Sequence, residues 1–199
     1  LLFDEQLNSG ENALPAAKNC KVLSAVTRHM ARNARGLADS WASFKQHYLD
    51  TGPYRDTTIK AGMTALEILE ERRLAQPMGL RGNGKRNPYI TDAWRSGQSL
   101  TAVEATVAGL EKFYLPGLIT LLKTDGEARL AERIQRQFEE VADNFPEAHA
   151  AMTTLMESDE RFRILQGLFV DVSQLSTLIN DEAAVALGVV RGFNSSDGD

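Results

Sequence analysis

With Cys20 as the only cysteine in 199 residues, the chain has no internal disulfide and no thiolate cluster for a metal. That count does not separate a reducing from an oxidising compartment. Six prolines and an aromatic content of 7% leave long stretches free of helix breakers. No stretch approaches the roughly 18 uninterrupted apolar residues that a membrane-crossing helix needs. Positive charge is also short: 22 Lys and Arg against 27 Asp and Glu give a net charge of -5. This balance argues against a dedicated nucleic-acid binder, which needs a basic face. Residues 1–12 carry no basic start and no long apolar run, so no signal peptide is visible in them. The chain opens on Leu1, and the expectation is that an upstream segment, with any targeting sequence, has been removed or sits on another chain.

Helical periodicity fills the sequence. Leu23, Val26, Met30, Ala34, Leu37, Trp41, Phe44 and Tyr48 recur in steps of three and four, one stripe on a long helix. Thr51-Gly52-Pro53 ends it. A second helix is expected from Asp56 to about Ala75, striped by Ile59, Met63, Leu66 and Leu69, and stopped by Gln76-Pro77-Met78-Gly79. Residues 79–97 hold four glycines, a proline and no sustained period, the longest irregular segment. Helices resume at Ser99, with Thr101 and Glu104 spaced as a capping box before Val103, Val107, Leu110 and Tyr114. Pro116-Gly117 predicts a kink, and Thr124-Asp125-Gly126 a cap for the next helix, striped by Leu130, Ile134, Phe138, Val141 and Phe145. A short helix with Ala148, Met152 and Leu155 follows. The last long one starts near Ser158 and carries Phe162, Leu165, Phe169, Val172, Leu175 and Ile179.

No alternating β-branched run lies between hairpin turns, so no strand is expected. The fold class is all-α, antiparallel helical bundles with short connections. One compact unit is expected over residues 1–199, with a sub-boundary possible in 79–97 and the first helices completing a bundle begun upstream.

The candidate chemistry is sparse. His29, His47 and His149 lack a partner histidine or carboxylate at metal-binding spacing, except His47 with Asp50 near a helix end. A polar last turn explains that pair more simply. Glu67, Glu70 and Glu71, and again Glu139, Glu140 and Asp143, alternate with Arg72, Arg73 and Arg136 as solvated helix faces do. Glu-x-x-His pairs of a bundle di-iron site are missing. In Trp94-Arg95-Ser96-Gly97-Gln98-Ser99, Arg95 offers a fork for an anion and Ser99 sits at a helix start with free backbone donors. The same segment reads equally as a clamp, with Arg95 pairing an interior carboxylate over Trp94, and that reading is favoured. Asn194 to Asp199 is oxygen-rich but lacks calcium-loop spacing.

Leu1-Leu2-Phe3-Asp4-Glu5, Gly52-Pro53-Tyr54, Trp94-Arg95-Ser96-Gly97-Gln98-Ser99 and the ending Gly192 to Asp199 together resemble the imelysin-like family of bacterial envelope proteins. They stand in the order of the later two-thirds of that family's domain. The resemblance implies an all-α fold of paired bundles in an exported protein, periplasmic or lipid-anchored at the outer membrane, and linked to iron uptake. It implies binding of a metal or small ligand between bundles, with iron or zinc as the metal. In the family, a Leu-Leu-Phe-Asp run follows a Gly-x-His-x-x-Glu motif, on which some members are classed as zinc-type endopeptidases. None of His29, His47 or His149 has Glu three residues on. The motif is expected on a segment upstream of Leu1, which would be the partner of the first helices; a structural helical adaptor is the third reading. Both conspicuous segments point to Arg95, Ser96, Ser99, Asn194, Asp197 and Asp199 as cleft-lining residues. Arg95 would orient an anion, the serines would donate hydrogen bonds, and the tail would supply oxygens.

Overall fold

The stripe that recurs from Leu23 to Tyr48 winds into one uninterrupted helix, α1 (Ala17–Asp50). The computed structural model describes residues 17–190 apart from 53, 83 and 146–149. Leu1 to Glu5, Pro53, Ala148, His149 and Gly192 to Asp199, all singled out above, lie outside the described residues. The chain divides into two compact units, Leu1–Arg55 and Asp56–Asp199.

In the first unit, the apolar stripe of α1 is solvent-facing: Met30 is 64% and Leu37 73% exposed. In its last turns Trp41 and Phe44 each meet Tyr48 edge-on, and Tyr54 stacks on Tyr48 at 4.9 Å between ring centroids. His47 and Asp50 are not paired. Gln46 Nε2 donates to both Asp50 carboxylate oxygens, and His47 contacts Phe44 and Tyr54.

The second unit is an antiparallel bundle, and hydrogen bonds across it set the register. Helix α2 (Tyr54–Glu67) continues through a π-wound segment (Ile68–Ala75) into α3 (Gln76–Met78). After two short 3-10 turns (Pro88–Ile90 and Trp94–Ser96) come α4 (Ser99–Phe113), α5 (Leu115–Thr124) and α6 (Ala128–Asn144). Then follow α7 (Met152–Leu155), α8 (Asp159–Thr177), a second π-wound segment (Leu178–Ala183) and α9 (Ala184–Ala186). Tyr114 Oη donates to Ile59 O and Arg73 Nη1 to Thr106 Oγ1, so α4 runs against α2. Ser173 Oγ donates to Glu70 and Asn180 Nδ2 to Met63 O, so α8 also runs against α2. Gln137 Nε2 donates to Asp171 O while Arg133 reaches Glu182, which sets α6 against α8. Helices α2, α4, α6 and α8 are the four sides, and their stripes meet in one core: Leu66, Val103, Ile134, Phe138 and Leu165 are at most 1% exposed.

Local chemistry explains the breaks. Pro116, which lacks an N–H, follows the 44° bend between α4 and α5. Ser158 caps α8, its Oγ accepting from the Arg161 N–H. The expected capping box at Thr101 and Glu104 is not formed: α4 begins at Ser99 with Gln98 as its cap residue, which places Thr101 inside the first turn. Among the described residues no single helix is long and apolar enough to cross a membrane.

Candidate functional site

The 79–97 segment is held down at several points. Gly79, at φ 75°, closes α3, and the Asn87 N–H donates to Pro77 O. Arg81 forks onto both carboxylate oxygens of Glu71 at 2.8 and 2.6 Å, which pushes its pKa up through hydrogen bonding and charge. The Arg86 guanidinium lies over the Phe162 ring at 3.7 Å and pairs with Asp159. Arg73, from the first π segment, lies 3.2 Å from Asp92.

The expected anion cradle stands at the end of that segment. Arg95 is exposed, its guanidinium 4.2 Å from the centre of the Trp94 ring, and it pairs with no carboxylate among the described residues. Ser96 Oγ donates to Ala93 O, and Ser99 Oγ, buried, donates to Asp92 O at 2.6 Å and meets Thr91 Oγ1. Both hydroxyls therefore point their protons into the loop. Ala93 holds the left-handed conformation at φ 55°, the one described non-glycine residue to do so, and turns the chain into the Trp94 corner. Asn194, Asp197 and Asp199, grouped with these residues on sequence, lie outside the described residues.

A second site involves none of the residues expected from sequence to line a cleft; Arg136, Glu140 and Phe169 stand out in the sequence only as parts of helix faces. A cleft of about 500 Å³ opens between α6 and the α8 end that passes into the second π segment. Arg133, Arg136 and Glu140 line one wall, and Ser173, Gln174 and Thr177 the other. Phe169, Val170 and Leu178 give it an apolar floor and rim. Its size falls in the range that holds small ligands. Arg133 is engaged, forking onto Glu182 at 2.6 and 2.9 Å. Arg136, three residues on, makes no ion pair with a described residue.

Glu140 is the cleft-wall carboxylate nearest two carboxyls that do not line the cleft, Asp171 and Glu70. The Asp171 carboxyl is pushed above its ordinary pKa, chiefly by burial and further by the Glu140 charge, while a hydrogen bond from Asn144 Nδ2 works against the shift. Glu70, read from sequence as part of a solvated face, is half-buried and accepts from Ser173 at 2.7 Å across the bundle. A carboxyl whose folded pKa is raised stabilises the fold below its unfolded pKa, and that contribution is lost as pH rises through the folded value. Asp171→Asn should therefore raise the melting temperature at pH 7, with Asn144 keeping an acceptor. The gain should vanish at about pH 3, below the ordinary carboxylate range. Equal gains at both pH values would show that charge is not the cause.

Among the described residues, no three His, Cys, Asp or Glu side chains converge as a metal site. The described residues thus do not fit an iron or zinc ion, and no chemistry is routed through one. Sequence pattern does not reveal the cleft because it exists only between helices. The one available signal is the charge order Arg133, Arg136, Glu140 along the helix, which matches a solvated face equally well.

A family model described as imelysin matches residues 1–179. No curated protein and no solved structure matches the chain.

Proposed function

The chain belongs to the imelysin family, and from that premise we propose that it is an exported bacterial envelope protein that serves iron uptake by binding a small ligand. Envelope location and the link to iron rest on the family resemblance alone. Ligand binding rests on one observation, the α6–α8 cleft with the Arg136 guanidinium on its wall, unpaired among the described residues. Two charged groups outside any described ion pair, Arg136 and Glu140, with amide and hydroxyl groups and an apolar floor, are what orients a small polar ligand. Arg95, exposed over Trp94 and free of a described carboxylate partner, is a second place for an anion. Ser96, Ser99 and the tail residues Asn194, Asp197 and Asp199 would frame it.

The test is titration of the full chain, labelled for NMR, with small carboxylates and amino acids, free and as ferric chelates. Saturable shifts at Gln174 and Thr177, lost when Val170→Trp fills the cleft, are expected. Shifts confined to Trp94 and Arg95 would transfer the role to the loop. Peptide hydrolysis that chelators abolish would replace binding by the zinc-type endopeptidase reading.

A further inference from the structure

We propose that the occupant of the α6–α8 cleft is a zwitterion whose carboxylate and ammonium stand about one helical turn apart, such as a dipeptide or a medium-length amino acid. The inference rests on the reading of this cleft as the ligand site. Its basis is the placement of charge. Arg136 and Glu140 are four residues apart on α6, hence about 6 Å along the axis. They lie on the same wall and are not paired with each other.

Each end of the cleft lacks one partner. At the first, Glu182 already neutralises Arg133 through two hydrogen bonds, so Arg136 is the guanidinium with donors to spare. At the second, Glu140 stands close enough to Asp171 to act on its titration, and the Ser173 hydroxyl is spent on Glu70. An ammonium would relieve that negative charge, as a carboxylate would satisfy Arg136.

The alternatives fit less well. A simple anion at Arg136 would meet Glu140 one turn away, and a simple cation at Glu140 would meet Arg136. A divalent metal would find no convergent third ligand among the described residues. Val170, 48% exposed at the rim, and Leu178, buried at the floor, add apolar surface to the cleft that an aliphatic side chain can cover. This favours a dipeptide with an apolar residue over a bare ω-amino acid.

Three probes test the inference on the full chain by NMR titration: alanyl-leucine, its N-acetylated form and its C-terminal amide. Alanyl-leucine should shift Gln174 and Thr177 saturably, and either cap should weaken it about fivefold, the upper scale of one partly exposed charge pair. Arg136→Gln should weaken alanyl-leucine and leave the amide unweakened or slightly tighter, since the guanidinium repels its cationic end. Glu140→Gln should do the same with respect to the acetylated form. Equal saturable shifts of Gln174 and Thr177 by all three probes would overturn the zwitterion and leave the cleft a ligand site. No shift at those residues with any probe, or with any member of the wider carboxylate and chelate panel, would overturn the cleft reading as well.

Discussion

Replacing Phe138 with Ala should cost about 4 kcal/mol of unfolding free energy, the range for emptying a fully buried aromatic site. The ring sits on α6 with 0% exposure, and α6 packs between α5 on one side and α8 on the other. A void there removes contacts from several helices together, and a close-packed interior relaxes only in part. The effect should appear as a lowered urea midpoint with an unchanged slope, since the helices themselves persist. Phe113→Ala is the matched control. That ring is 78% exposed at the end of α4, so its loss should change stability by less than about 0.5 kcal/mol. Comparable losses at the two positions would contradict the core assignment.

The contrast between these two phenylalanines is partly legible in the spacing of apolar residues. Phe138 belongs to a stripe with Leu130, Ile134 and Val141, and all four are buried. Phe113 falls off the Val103, Val107, Leu110 and Tyr114 series and is exposed. Periodicity works here because one helix face meets one core. The same rule fails for α1, whose equally regular stripe is exposed in the described chain. A pattern reports that a face needs cover, and does not identify what covers it.

Other features escape the sequence pattern for other physical reasons. The two π segments follow a wider winding, so a reading at 3.6 residues per turn passes through them without notice. They hold Glu70, bonded by Ser173, and Leu178 and Glu182, which line the cleft. The cleft itself is tertiary: Arg136 and Glu140 become walls only because the Gln137 amide and Asp171 carbonyl fix α6 against α8. Arg95 over Trp94 is legible from sequence, but the favoured expectation that it pairs an interior carboxylate is not met among the described residues, where it is exposed. That Ser96 and Ser99 donate their protons inward to Ala93 and Asp92 is not legible, because those bonds depend on the 3-10 turn and the left-handed Ala93.

Gly79→Ala should destabilise the second unit by about 3 kcal/mol, combining a left-handed backbone penalty with a clash. Gly79 ends α3 with its own N–H on Gln76 O and the Leu80 N–H on Ala75 O, a paired closure that demands positive φ. A β-carbon at this position would lie 2.7 Å from the Lys85 carbonyl carbon and 2.9 Å from that of Gly84. Both obstacles are backbone, so no rotamer change relieves them, and the 80–87 turn must move as a piece. Gly82 separates the two contributions. Its φ of 76° matches that of Gly79, yet nothing lies within 4 Å of a β-carbon there, so Gly82→Ala should cost only about 1 kcal/mol. The excess at Gly79 then measures how tightly the segment folds back on α3. Amide exchange supplies a local readout: the Asn87 N–H, bonded to Pro77 O at 2.7 Å, should lose protection in Gly79→Ala and keep it in Gly82→Ala. Equal losses in the two variants would mean that the fold-back contributes nothing. The 79–97 segment would then be a loosely tethered connection, and the corner that presents Arg95 would have no fixed support from this end.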